Sequence, residues 1–113
     1  MNQIILDGCI QKDTKLYDEI ANFNISAITG SFLGQNNQIK KRFTYLKVIY
    51  PHPITPELEN LLQPKSMIRI YGKIDSEQYH TISHKNVYNK IICAEKIVRI
   101  RWDNTIQDYV EVI

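Results

Sequence analysis

Two cysteines, one tryptophan and a net charge of only +2 in 113 residues leave several kinds of protein without support. Cys9 and Cys93 lie on separate strand-like segments, and neither has the Cys-x-x-Cys neighbour that would begin a metal ligand set. No apolar run approaches the roughly 20 residues that cross a bilayer, so a membrane role has no basis. Nothing at the N-terminus reads as a basic, apolar and cleavable leader. The expectation is therefore a cytoplasmic, intracellular chain with reduced thiols. No glycine-rich phosphate loop and no carboxylate pair in a recognisable motif are present, which makes an enzyme the weakest class. His80 and His84 stand four apart, a metal spacing on a helix, but they fall in a polar hairpin segment where that spacing does not share a face. Neither a metal nor a cofactor is expected.

The small net charge also excludes a uniformly basic surface, and the distribution is more informative than the sum. Between Lys40 and Lys73 the cations Lys40, Lys41, Arg42, Lys47, Lys65, Arg69 and Lys73 face only Glu57 and Glu59, whereas the C-terminal end carries Asp103, Asp108 and Glu111. A positive middle and an acidic end cancel in number but not in space.

The length suits one domain, here residues 1–102, followed by a short extension over 103–113. Ile4 to Ile10 alternates as a first strand, with Gly8 where a curl would be useful. Ala21 to Ile28 forms a second, with Phe23, Ile25 and Ala27 on one side. Gly30, Gly34, Asn36 and Asn37 mark Thr29 to Gln38 as a flexible hairpin loop. One helix is well signalled: Thr55 can cap it, Pro56 suits its first position, Glu57 favours its positive end, and Leu58, Leu61 and Leu62 form one stripe. Pro64 ends it. Met67 to Ile74 alternates again, with Ile68, Ile70 and Ile74 toward the core and Arg69, Tyr71 and Lys73 away. A polar excursion from Asp75 to Asn86 precedes a last strand from Tyr88 through Ala94, resuming from Ile97 to Trp102.

The third strand, Lys40 to Tyr50, is the most informative. Read with a period of two, Phe43, Tyr45, Lys47 and Ile49 share one face, while Thr44, Leu46, Val48 and Tyr50 suit a core. Exposed rings beside cations are how a single-strand nucleic-acid platform is built, because bases stack on aromatics and phosphates meet the charges. Such a strand can equally lay its tyrosines under a loop, since aromatics are common in strands.

Three strands, one helix after the third, then two more strands is the order of the all-β OB-fold, a five-stranded Greek-key barrel. The chain further resembles the bacterial, phage and organellar single-stranded DNA-binding (SSB) family over about its first hundred residues. The resemblance rests on Asn2 to Ile10, on Ala21 to Ser26, on Tyr45-Leu46-Lys47-Val48-Ile49, and on Leu58 to Leu62 followed by Met67 to Ile74 with its closing Tyr-Gly-Lys-Ile. It implies DNA-facing roles for Tyr45 and Lys47, and for Tyr79 in the hairpin beyond the fourth strand. The facing pattern adds Phe43, Arg69, Tyr71 and Lys73, and the positive middle of the chain adds Lys41 and Arg42. Two departures stand out. The loop from Thr29 to Gln38 lacks the tryptophan often placed there. Residues 103–113 have neither the Gly/Pro-rich linker nor the acidic, phenylalanine-ended tip through which bacterial members recruit enzymes, which points to a short phage, mobile-element or primosomal-type relative.

The expected function is thus non-enzymatic coating of single-stranded DNA, with little sequence preference, in replication, recombination or repair. Replication or recombination proteins are the possible further partners. The resemblance also implies a homo-oligomer, a dimer or tetramer, with the strand edge from Gln3 to Ile10 as the contact. A protein-interaction OB module remains open, as does a primosome-like or RNA-binding OB protein, because aromatic and arginine enrichment also marks interface centres.

Overall fold

A computed structural model of the chain describes residues 2–12, 14–17, 20–80 and 86–112, with the backbone alone at Leu16, Tyr17, Phe32, 78–80 and 86–88. The strands are β1 (Ile4–Ile10), β2 (Lys15–Tyr17), β3 (Ile20–Leu33), β4 (Ile39–Tyr50), β5 (Met67–His80), β6 (Asn86–Asp103) and β7 (Asp108–Glu111), with helix α1 (Pro56–Leu61) between β4 and β5. Five of them close on themselves. β1 pairs with β5, β5 with β6, β6 with β4 in parallel, β4 with β3, and β3 returns to β1. The short β2 extends the edge of β3, and β7 folds back on the end of β6. This is the five-stranded Greek-key barrel, with one helix after its third strand, that the order of sequence segments leads one to expect.

Closure forces each strand to send alternate side chains inward, and the sequence supplies them. Phe23, Ile25, Val48, Ile68 and Ile70 are fully buried, joined by Ile10, Ala21, Ala27, Ile92 and Ala94. Helix α1 adds Leu61 and Leu62 to the same cluster, with Leu58 and Ile54 packed against it. Six residues are too few for a helix to hold itself, so this one depends on its cap and its packing. Leu58 N donates to Thr55 Oγ1 at 3.2 Å, and Pro56 opens the first turn with Glu57 and Glu59 beside it.

Four expectations change in the structure. The segment from Thr29 to Gln38 is mostly strand, because the arms of β3 and β4 hydrogen-bond to each other as far as Leu33 opposite Ile39. Gly34, Asn36 and Asn37 serve one tight turn, Gln35–Asn37, where Asn36 and Asn37 adopt φ of 64° and 59°, while Gly30, at φ 154°, lies within β3 at a register shift against β4. The excursion after Asp75 is likewise largely two paired arms, with Tyr79 opposite Val87 and His80 opposite Asn86. Ile74 was expected inward but is 46% exposed. The pairing of β1 with β5 ends at Ile4 opposite Gly72, so Ile74 lies beyond it and lines an apolar hollow with Ile4, Leu6, Leu46 and Ile91. Finally, β1 is an open edge only in part. Gly8 and Cys9 have partners on both sides, and Ile10 pairs with Ile25 while bonding to Ser66 and Lys65, so among the described residues Ile4 to Asp7 alone keep a free side.

Glycine is required where strands press closest. A Cβ on Gly72 would strike the carbonyl of Cys93, and one on Gly8 would stand 2.8 Å from the carbonyl of Ser26. No helix among the described residues is long and apolar enough to cross a membrane. Overpacking at such a backbone contact costs about 1–3 kcal/mol. Urea unfolding of Gly72→Ala is therefore expected to show a loss of that size, and an unchanged midpoint would contradict the close approach.

Candidate nucleic-acid interface

The inward parity of β4 is set by Val48, which is fully buried, with Leu46 packed against the core. Its outward residues follow from that. Phe43 is 55% exposed and Tyr45 is 75% exposed, and Lys47 lies further along the same face. β3 pairs beside them, so Ile28 stands opposite Phe43, Ser26 opposite Tyr45 and Asn24 opposite Lys47. Two rings and a cation thus share a surface with Ile28, Ser26 and Asn24.

Next to Lys47 the surface sinks into an open groove of about 670 Å³ lined by Lys12, Thr14, Lys15, Asn22, Asn24 and Lys47. Three ammonium groups and two amides line it, and it holds no carboxylate among the described residues. Such a groove suits an anionic backbone whose bases offer donors and acceptors. The sequence reading missed Lys12, Lys15, Asn22 and Asn24. A signal for the asparagines was present: with Phe23, Ile25 and Ala27 inward, Asn22 and Asn24 must face out. For Lys12 and Lys15 there was none, because their placement depends on β2 folding onto β3.

Lys47 is engaged. Its Nζ donates to both carboxylate oxygens of Glu77 on β5, at 2.9 and 2.7 Å, with each side chain one-third exposed.

A second cluster gathers beneath β7. Arg69 donates through Nε and Nη2 to the two oxygens of Asp7, its cross-strand neighbour, at 2.7 and 2.9 Å, and through Nη2 to the carbonyl of Tyr109 at 3.3 Å. Glu111 lies 3.8 Å from Nη1. The hydrogen bond to Asp7 holds the Arg69 guanidinium above its already high ordinary pKa, so it stays charged at any accessible pH. Tyr71 donates to Glu111 Oε2 at 3.1 Å, with Lys96 over its ring. Lys41 sits 4.7 Å above the ring of Trp102 and 5.0 Å above that of Tyr109, two rings that meet edge to face.

The structure thus gathers Phe43, Tyr45 and Lys47 on one face, and brings Lys41, Arg69 and Tyr71 to the carboxylates and rings around β7 instead. Alternation along β5 says where Arg69 and Tyr71 point but not that β7 covers them. Arg42 is exposed on β4 with the opposite parity to Phe43, and Lys73 is exposed on β5 opposite Cys93. The side chains of Tyr79 and His80, and all of His84, lie outside the described residues. No group of three or more His, Cys, Asp or Glu that could hold a metal occurs among the described residues.

Strand order, parallel closure and the single helix define an OB-fold. Solved structures with the same fold include a Plasmodium falciparum SSB in complex with ssDNA, at a TM-score of 0.66 and 16% identity, covering 100% of this chain and 96% of that one. A small single-stranded DNA-binding protein from Streptomyces coelicolor matches at a TM-score of 0.65 and 10% identity, over 86% of this chain and 92% of its own. No family model and no curated protein matches the sequence.

Hydrogen bonds to charged groups contribute about 1.5–3 kcal/mol each when well formed. Arg69→Ala, which leaves Asp7 and Glu111 facing each other without a cation, is expected to lower unfolding free energy by an amount in that range. An Asp7→Ala/Arg69→Ala double-mutant cycle should return a coupling of the same sign. Additive losses would show that the pair contributes nothing as a pair.

Proposed function

We propose that this chain binds single-stranded DNA without catalysis and with little sequence preference, in replication, recombination or repair. The observation that carries the reading is the outward face of β4, where exposed Phe43 and Tyr45 adjoin a groove lined by Lys12, Lys15, Lys47, Asn22 and Asn24. Bases stack on the rings, the lysines follow the phosphates, and the asparagines accept or donate to whichever base edge passes. Tyr79 extends the platform along the β5 arm, and Arg42 and Lys73 add flanking charge. Arg69, Tyr71 and Lys41 serve the β7 contact. The Plasmodium falciparum SSB, in complex with ssDNA, supports the same reading on a shared fold.

The functional unit is a homo-oligomer, because one barrel offers only a short track. The free side of Ile4 to Asp7, with Ile5 57% exposed, is the edge available for pairing with a second copy. Replication or recombination proteins are its further partners.

A fluorescence titration with unstructured oligothymidine should show binding that weakens steeply as salt rises, and much weaker binding to a duplex of equal length. Equal affinity for the two forms, or none for either at low salt, would refute the reading. Within the platform, Tyr45→Ala should cost about 1–3 kcal/mol of binding with the melting temperature unchanged. Val48→Ala on the opposite face should instead cost roughly 2 kcal/mol of stability, from two buried methyl groups. The reverse pattern would mean that the strand faces the other way.

A further inference from the structure

Lys47 is the cation that joins the aromatic face to the groove, yet its ammonium is already held by both oxygens of Glu77 at 2.9 and 2.7 Å. Glu77 belongs to β5, two strands away around the barrel, and its backbone pairs with Asn89 of β6. Its carboxylate therefore reaches across β6 to the platform. A phosphate arriving at Lys47 meets a negative group bound in the place it would occupy.

We propose that Glu77 is an intramolecular competitor for the phosphate at Lys47, and that this exchange sets the affinity and salt dependence of nucleic-acid binding. The inference rests on the single-stranded DNA reading above. Glu77 takes two of the three N–H donors of Lys47 and neutralises its charge, so a phosphate gains the full ammonium only as Glu77 leaves, and the released carboxylate then takes up a cation from solution. That uptake cancels the counterion freed from the DNA, so the Lys47 contact contributes little to the salt slope of the native protein. The free protein meanwhile keeps its central lysine neutralised. Non-nucleic anions that offer one charge and no stacking base gain little by displacing Glu77, because a one-third-exposed ion pair and the contact replacing it are of similar strength.

Glu77→Gln removes the charge while keeping the shape. Oligothymidine titrations at several salt concentrations are expected to give about three- to tenfold tighter binding at low salt. The slope of log K against log salt should steepen by about 0.7, the value of one additional single-strand phosphate contact. The gain should vanish when Glu77→Gln is made in a Lys47→Ala background, and Lys47→Ala alone should barely change the native slope. Thermal melting of each variant separates these effects from stability. A native protein that binds, with a Glu77→Gln variant of equal or weaker affinity and unchanged slope, would overturn the competition while leaving the DNA reading intact. Gain from Glu77→Gln that persists without Lys47 would also overturn it. Absence of binding by the native protein and by both variants would instead refute the DNA reading itself.

Discussion

Closure of the barrel through two glycine contacts is the constraint on which the rest depends. At Gly8 the first strand is pressed between β3 and β5, and at Gly72 the fifth runs against β6 so closely that no side chain fits. Once those contacts are made, no barrel strand can slip by one residue without turning its buried set to solvent. Phe23, Ile25, Val48, Ile68 and Ile70 hold that register from inside. The exposure of Phe43 and Tyr45 is the other side of the same condition, because the platform is what remains outward when Val48 is in.

The outer surface divides its charges by use. Around β7, cations meet carboxylates and rings: Arg69 with Asp7 and Glu111, Lys41 above Trp102 and Tyr109. These contacts hold the C-terminal hairpin to the barrel and engage two of the central basic residues, Arg69 and Lys41. Around the groove, Lys12 and Lys15 stand with amides, and among the described residues the lining has no carboxylate, while Lys47 is paired with Glu77. A modest net charge is thus compatible with a locally positive lining.

The alternation of Phe23-Ile25-Ala27, of Leu46-Val48 and of Ile68-Ile70 made the barrel strands legible, as did the Thr55-Pro56 start of the helix. These are local signals with a fixed period, and the core obeys them. What escaped depends on contacts between distant segments. Ile74 continues an apolar alternation but sits beyond the point where the pairing with β1 ends. Gly30 and Asn36 read as loop because composition cannot show that their neighbours find hydrogen-bond partners across a long hairpin. Lys12 and Lys15 join the groove only through β2, three residues long. Arg69 alternates outward as read, but its partners Asp7 and Glu111 lie far from it in the chain.

The pairing of the first strand with the fifth has a kinetic side. Asp7 and Arg69 are separated by 62 positions, and the amide of Asn2 reaches Ile74 across 72. Gly8 to Ile10 can pair early, with β3, but Ile4, Ile5 and Leu6 have no partner until β5 exists to receive them, so they stay unpaired while β2, β3, β4 and α1 are being made. Contacts of such sequence separation slow folding relative to a helical domain of the same size, since loop-closure entropy is lost before the pairing returns anything. The exposure of Ile4, Ile5 and Leu6 while they wait for β5 is therefore an aggregation hazard during synthesis.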